Sequence, residues 1–304
     1  MKVQDIVTQK IIEQLEKGVV PWQKPWQCAG SPKNLITKKP YRGINVLLLA
    51  LAGRESEWWL TFKQVKKLGG SVKGGEKSTL IVFWNVYEKE VVDAETGEVN
   101  KQKRYTLRYY NVFNAEQTTG IKYAKPEQRQ FSPIEEAERI VAGYTDAPEV
   151  KYGGGRAYYS PIEDNIGLPK KENFTSDEGY YTTLFHEFAH STGHKSRLAR
   201  KEVVEANFFG TEDYSKEELV AELTASILSA QAGIVDKTLK NSASYIKHWL
   251  KALKDDTSLI IKASSQAQKA VDYIQGKVEK KAVEPKEEPK VAEKEEVGEL
   301  VAVA

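Results

Sequence analysis

The chain has 304 residues, long enough for two cores and a tail, and its 40% apolar and 29% charged composition fits a water-exposed globular protein rather than a membrane or fibrous one. No uninterrupted apolar run of 18 or more residues occurs, and Met1 to Asp5 leads into an amphipathic pattern instead of a secretory leader, so a cytoplasmic protein with no membrane partner is expected. The net charge is only +2, but residues 1–125 hold 21 Lys and Arg against 12 Asp and Glu, the remainder 24 against 31, and five of the six tryptophans lie in the first part. A basic, tryptophan-rich part and an acidic part point to two kinds of work.

Val3, Ile6, Val7, Ile11, Ile12 and Leu15 recur at helical spacing, and Gly18 closes that helix. Next comes Pro21-Trp22-Gln23-Lys24-Pro25-Trp26, which cannot continue a helix and reads either as a clasp over the core or as a platform for bases. A basic loop, Lys38 to Asn45, contributes Lys39, Tyr41 and Arg42 before a short buried helix from Val46 to Leu51. Trp58 to Leu60 reads as a strand, and Thr61 with Gln64 forms a capping box for a helix ending at Gly69-Gly70. Ser71 to Lys77 is a Gly/Lys-rich turn without a Walker pattern; Lys73 and Lys77 are placed there to approach a phosphate backbone. Leu80–Tyr87 and Tyr105–Phe113 read as a hairpin around the loop 93–98. On its second strand Tyr105, Leu107, Tyr109, Asn111 and Phe113 point one way, which reads as core. Arg108 and Tyr110 point the other way, and an arginine beside an aromatic suits stacking on unpaired bases as well as an ordinary solvated face.

Residues 126–131 are polar and aperiodic and read as a linker between a unit at 1–125 and one at 132–275. Ser132-Pro133-Ile134-Glu135 starts a helix. Short strands are expected at 149–152, 156–159 and 165–168, a small sheet of the kind that holds an extended peptide at its edge, with Tyr158 or Tyr159 near the site. The stretch 175–194 then carries His-Glu-x-x-His on a helix, with Thr175 and Glu178 as its capping box. His186 and His190 fall one turn apart on one face, suited to one zinc ion, and Glu187 between them is placed as general base. Three of the four histidines of the chain lie in this short stretch. The single cysteine, Cys28, excludes both an internal disulfide and a cysteine zinc site made by this chain alone.

A catalytic zinc needs a third protein ligand. His194 sits past a turn glycine and is poorly placed to fold back; where a longer zinc-peptidase pattern has its third histidine, ten residues after the first, this chain has Ser196. Glu218 and Glu222 lie one turn apart on the next helix, 215–232. In one reading Glu218 binds the metal and Glu222 supports a zinc-bound histidine; in the other Glu218 belongs to a Ser215 capping box and Glu222 is the ligand. Lys195 to Gly210 reads as a basic loop, helices follow at about 241–254 and 259–275, and 276–304 has the composition of a disordered tail.

The C-terminal motifs His-Glu-Phe-Ala-His-Ser-Thr-Gly-His, Arg197-Leu198-Ala199-Arg200 and Glu-Glu-Leu-Val-Ala-Glu resemble the zincin-like metallopeptidase domain of ArdC-type antirestriction proteins. Pro-Trp-Gln-Lys-Pro-Trp, Tyr-Arg-Gly-Ile-Asn and Val-Phe-Asn-Ala-Glu-Gln-Thr are similar to the single-stranded-DNA-binding domain of the same family. The resemblance runs from residue 1 to about 275. It implies an α+β protein in which a basic mixed α/β module that binds single-stranded DNA precedes a gluzincin-like domain. It also implies a role on plasmids, phages or other mobile elements, where the protein helps incoming DNA evade restriction.

The expected site is therefore His186, His190 and Glu218 holding one Zn²⁺ per chain, with Glu187 as base and His194 as oxyanion stabiliser. The partners expected are single-stranded DNA and a protein substrate or restriction enzyme. The contrasting reading is a DNA-binding protection protein whose metal is structural; an intact Glu187 argues for the enzyme, since a structural site needs no base.

Overall fold

The computed structural model describes residues 2–22, 31–92, 99–124, 133–205, 212–234 and 243–277. The expected linker, the loop 93–98, Cys28 and all but the first two residues of the expected tail lie outside them. The elements run α1 (Val3–Glu16), β1 (Lys33–Asn34), α2 (Ile44–Ala50), β2 (Trp58–Thr61), α3 (Phe62–Lys67), β3 (Ser71–Val72), β4 (Thr79–Val92), β5 (Val99–Asn114) and β6 (Thr118–Thr119) in the first half. The second half has α4 (Pro133–Gly143), β7 (Glu149–Tyr152), β8 (Tyr158–Ser160), β9 (Asn165–Leu168), α5 (Asp177–Ser191), α6 (Lys201–Val204), α7 (Glu212–Ala232), α8 (Ala243–Asp255) and α9 (Leu259–Ile274). The architecture is α+β.

Local chemistry accounts for most boundaries. Gly18 takes φ 75° just past α1, a conformation open to glycine and costly for others. The Thr61/Gln64 capping box forms as the sequence predicts. At α5 the cap is Ser176, whose hydroxyl accepts from the Gly179 amide at 3.1 Å, rather than Thr175 one residue earlier. The predicted cap at Ser215 is also corrected: α7 begins at Glu212, so Ser215 lies inside the helix and Glu218 is free of any capping duty. The basic stretch after Gly193 is not all loop, because α6 forms within it. The strand expected at 156–159 starts two residues later and runs Tyr158–Ser160, after a turn that Gly153 and Gly154 hold at positive φ.

Three sheets form among the described residues. The first has order β1-β2-β5-β4, with β1 parallel to β2 and the rest antiparallel; β3 pairs with β6; and the third is β7-β9-β8, with β8 antiparallel at its edge. β4 and β5 stay paired from Thr79↔Val112 to Val92↔Val99, so the outer part of the hairpin is a two-stranded ribbon running beyond the sheet. Its root is packed: Leu80, Ile81, Val82 and Val112 are buried.

One hydrophobic cluster joins the two halves. Val7, Ile11 and Leu15 of α1, Leu47 of α2 and Val82 of β4 pack with Leu219, Val220 and Leu223 of α7, Leu253 of α8 and Ile260 of α9. Trp22 is buried in it and meets Trp249 edge-on, ring centroids 5.8 Å apart. Polar contacts stitch the same seam. The Thr8 hydroxyl donates to the Thr257 carbonyl at 2.6 Å, the Gly43 amide donates to Gln268 at 3.1 Å, and Arg42 pairs with Asp272. A second cluster lies wholly in the other half, where Tyr181, Phe185 and Phe188 of α5 pack against Ile166 and Leu168 of β9 and Leu228 of α7.

Candidate metal centre and nucleic-acid interface

Burial of Tyr181, Leu184, Phe185 and Phe188 along one stripe of α5 fixes its rotation and turns His186 and His190 toward α7. There the two Nε2 atoms lie 3.1 Å apart. Glu218 faces them, with one carboxylate oxygen 3.5 Å from His186 Nε2 and the other 3.4 Å from His190 Nε2. His186, His190 and Glu218 are the one group of this kind among the described residues, each offering a ligand atom within 4.8 Å of the others. Ligands about 2.0–2.1 Å from a tetrahedral zinc stand roughly 3.3 Å from one another, so these three separations match such an ion. Two ring nitrogens facing at this distance, with a carboxylate beside them, also suit a shared cation better than they suit each other.

The support behind His190 is Glu217, not Glu222. His190 Nδ1 donates to Glu217 Oε1 at 3.2 Å, so the neutral ring, the form a metal takes, presents the Nε2 lone pair to the site. Glu217 is itself buried and gripped by Arg200, whose Nε and Nη2 reach its two oxygens at 2.8 and 2.6 Å. Arg200 also donates to Thr192 Oγ1 and to the Ala189 carbonyl, each at 2.7 Å. Burial would raise the Glu217 carboxyl, but the Arg200 charge and the bond from His190 outweigh it and hold it below the usual range. Burial opposes charge on His190 too; the hydrogen bonds to Glu217 and Glu218 overcome this and push it up to about 10 in the metal-free protein.

Gly193 makes room for this buried arginine. A Cβ there would fall 2.5 Å from Val203 Cγ2 and 2.9 Å from Arg200 Nη2. Ala199, at φ 48°, turns the chain so that Arg200 enters the core. The sequence signal was present in Arg197-Leu198-Ala199-Arg200, but nothing in the spacing linked that arginine to a glutamate on the next helix.

Glu187 is buried beside the histidines, and burial raises its pKa even though His190 and His186 pull it down. The Tyr159 main-chain N–H on β8 also pulls it down, the smallest of these effects. His194 stands apart from this cluster in its contacts: its Nδ1 is 2.8 Å from Ser196 Oγ and 3.8 Å from Asp164. Asp164 is held by Arg197, through Nη1 at 3.1 Å and through Nη2, and accepts from the Tyr159 hydroxyl at 2.8 Å. The Tyr159 side chain thus joins the Asp164–Arg197 group beside His194 rather than the three candidate ligands, while Tyr158 lies exposed on the other side of the strand.

The predicted DNA contacts divide sharply. Trp22 is corrected to a core residue, because its ring is the clasp between the halves. Tyr41 is half-buried, packed against the Leu49, Trp59, Ile81 and Val112 cluster, and Arg42 is engaged by Asp272. Lys73 donates to the Glu116 carbonyl at 2.7 Å yet remains exposed, as do Lys39 and Lys77. Lys24 and Trp26 lie outside the described residues.

Arg108 and Tyr110 are exposed, and the register shows their company. Ile81↔Tyr110, Phe83↔Arg108 and Tyr87↔Arg104 are opposite pairs, so Phe83, Tyr87, Arg104, Arg108 and Tyr110 share one face of the ribbon. Phe83 is 61% exposed. The opposite face is core only in part: Leu107 packs against the main cluster, whereas Tyr105 is 63% exposed and Tyr109 and Trp84 are also open. That second face carries exposed Glu88, whereas no carboxylate stands among the described residues of the first. Among the described residues, no helix is long and apolar enough to cross a membrane.

Residues 1–113 match the N-terminal domain of the anti-restriction factor ArdC, and residues 135–266 match the zincin-like metallopeptidase family. Among solved structures, the metal-free antirestriction ArdC protein of plasmid R388 is 38% identical, aligns over 90% of this chain and 97% of its own, and superposes with a TM-score of 0.72. The Mn(II)-bound form of the same protein gives 36% identity, 91% and 98% coverage and a TM-score of 0.71. The protein y4eC of Sinorhizobium fredii is 33% identical over 282 residues, 88% of this chain and 90% of its own length. A DNA primase TraC of Escherichia coli is 37% identical over 287 residues, 89% of this chain, but the chain spans only 20% of that relative, and 26% of a second TraC. The paired domains and full-length likeness lead to one statement: the chain belongs to the ArdC antirestriction family, with that family's N-terminal domain followed by a zincin-like metallopeptidase domain.

Proposed function

We propose that this protein binds single-stranded DNA through the β4–β5 ribbon and hydrolyses peptide bonds at a zinc centre held by His186, His190 and Glu218. The two activities would protect incoming DNA of a mobile element in the cytoplasm, with a host protein such as a restriction enzyme as the peptide substrate. The units we assign to them are residues 1–125 and 132–275.

The observation that carries the enzymatic half is Glu187. It is a buried carboxylate beside the three ligand side chains, with its pKa raised by burial, as a general base needs and a structural site does not. Zinc bound by this set supplies Lewis acidity toward a peptide carbonyl. Glu187 takes a proton from the attacking water and passes it to the leaving amine. The Arg200–Glu217 pair fixes the tautomer of His190. That the R388 relative has a Mn(II)-bound form supports a divalent ion as the metal of this reading.

For DNA, the ribbon face bearing Phe83, Tyr87, Arg104, Arg108 and Tyr110 offers aromatic planes between cations, suited to unpaired bases and their phosphates. Metal analysis, proteolysis of candidate restriction subunits and oligonucleotide titration of the full chain and its Glu187→Gln variant test the reading together. Zinc retained with cleavage lost in the variant is expected. Bound zinc without cleavage by the unaltered protein would leave a structural metal in a DNA-binding protection protein.

A further inference from the structure

The register of the third sheet sets Lys151 of β7, Gly167 of β9 and Tyr158 of β8 in one row, with the Lys151 and Tyr158 side chains on one face. The far end of the Tyr158 ring lies over the middle strand, since a Cβ on Gly167 would fall 2.4 Å from a ring carbon. The ring thus leans away from the free edge of β8 and toward the strand that bears Lys151. On this inner side a hollow of about 620 Å³ opens to solvent, within the range of sites that hold small ligands. Its walls include Lys151, Arg156, Tyr158, Gly167 and the Gly153-Gly154-Gly155 turn.

An aromatic ring laid on a cross-strand glycine is an ordinary sheet device. That device does not account for the surroundings of this ring. Lys151 and Arg156 have no carboxylate partner at ion-pair distance among the described residues, in contrast to the paired Arg42, Arg54, Arg197 and Arg200. Glu149 shares the face of Lys151, but it stands two residues farther along, opposite Asn165, and outside the walls. Gly153 gives its N–H to the Leu168 carbonyl at 2.8 Å, whereas the N–H groups of Gly154 and Gly155 have no acceptor among the described residues. A Cβ at either of these two would meet nothing within 4 Å, so the rim is low, open main chain beside two exposed cations.

We propose that this hollow is a second contact for single-stranded DNA, seating one base on the Tyr158 ring with its flanking phosphates on Lys151 and Arg156. The walls offer an aromatic plane, two cations and main chain, with no side-chain amide or carboxylate to read a base edge, and such a set holds a strand without regard to sequence. An acidic peptide would satisfy the cations but leave the ring unused. The proposal rests on the reading that the protein binds single-stranded DNA, though not on the ribbon as its seat. It gives the metallopeptidase half its own hold on the strand.

The test titrates the full chain with fluorescein-labelled oligo(dT) by anisotropy over a salt series, and irradiates a 5-bromodeoxyuridine oligonucleotide on it to map crosslinked residues by mass spectrometry. Lys151→Gln with Arg156→Gln should weaken binding about tenfold and flatten the log-log salt slope by about 1.4, two phosphates' worth. Tyr158→Leu, which keeps a side chain over Gly167 without the aromatic plane, should weaken binding about tenfold with the slope unmoved, and Tyr158 should be a crosslinked residue. Unchanged affinity and slope in folded variants overturn the proposal. Weaker binding by the cation variant alone, with Tyr158→Leu neutral and no crosslink at Tyr158, reduces the cations to long-range charge and overturns it as well. If Phe83→Ala with Arg108→Gln leaves binding unmoved while the hollow variants weaken it, the ribbon reading fails and the hollow stands; no oligo(dT) binding by the unaltered protein at low salt overturns both.

Discussion

The metal centre and the β4–β5 ribbon spend their side chains in opposite ways. At the centre, each group is fixed by the next: Arg200 grips Glu217, Glu217 orients His190, and His190 meets Glu218. On the ribbon, Phe83, Tyr87, Tyr105, Tyr109 and Tyr110 stand open to solvent with little behind them. A buried network requires every member, since a partner left alone in low dielectric is costly. An exposed platform sums contributions, and each can be removed without the rest collapsing. The first arrangement suits chemistry on one bond, the second a ligand that must be held without regard to sequence.

The largest contrast should appear in metal content. His190→Ala or His186→Ala should abolish stoichiometric zinc binding by elemental analysis, while Glu187→Gln retains it; zinc loss in a folded Glu187→Gln protein would overturn the division between ligand and base.

Next comes stability. Arg200→Met strands the Glu217 carboxylate and should cost about 3–5 kcal/mol in guanidinium unfolding of the metal-free protein, whereas Arg108→Met on the ribbon should stay within about 0.5 kcal/mol. Equal effects would remove the contrast. Glu217→Gln should weaken zinc about 10- to 100-fold by chelator competition, more than Glu222→Gln does. Its pH signature follows from sign: a carboxyl held below its ordinary value adds stability that is complete above about pH 4.3 and is lost as pH falls through the folded value. Metal-free Glu217→Gln should therefore show a flatter acid limb than the unaltered protein.

Smaller effects belong to the ribbon. Phe83→Ala or Tyr110→Ala should each weaken oligo(dT) binding by about 1–3 kcal/mol with the salt slope unchanged, and duplex should bind less well than single strand. Arg104→Gln and Arg108→Gln should flatten the log-log salt slope by about 0.7 for each phosphate no longer neutralised. If the aromatic variants changed the slope and the arginine variants did not, the assignment of stacking and charge would be reversed.

The sequence was most readable where chemistry forces spacing. His186, Glu187 and His190 had to lie on one helix, and the Thr61/Gln64 box and the hairpin pattern are equally local. Glu218 could be paired with them only as one of two alternatives, because choosing needed the start of α7. Glu217 and Arg200 were missed as partners: their link crosses 17 residues and depends on the gap at Gly193 and the left-handed Ala199. Trp22 went astray for a related reason, since a tryptophan between prolines offers the same pattern whether its ring meets a base or, as here, Trp249 from the far end of the chain. Tyr105 and Tyr109 erred in the other direction; alternation marks a face, but only the packing at each position decides whether it is covered, as Leu107 between them is.

The seam around Trp22 and Trp249 bears on how this protein can be taken apart. Cutting near residue 125 separates Val7, Ile11 and Leu15 from Leu219, Val220 and Leu253, leaving oily surface on both pieces. Grafting either half onto a distant cousin would bring together surfaces never shaped for one another, and the poorly matched join would be prone to clumping. The practical module for transplantation is thus the stretch from α1 through α9 as one block, and a working hybrid is better made by exchanging the ribbon beyond the Trp84–Leu107 pair, past the last side chain that packs on the shared interior.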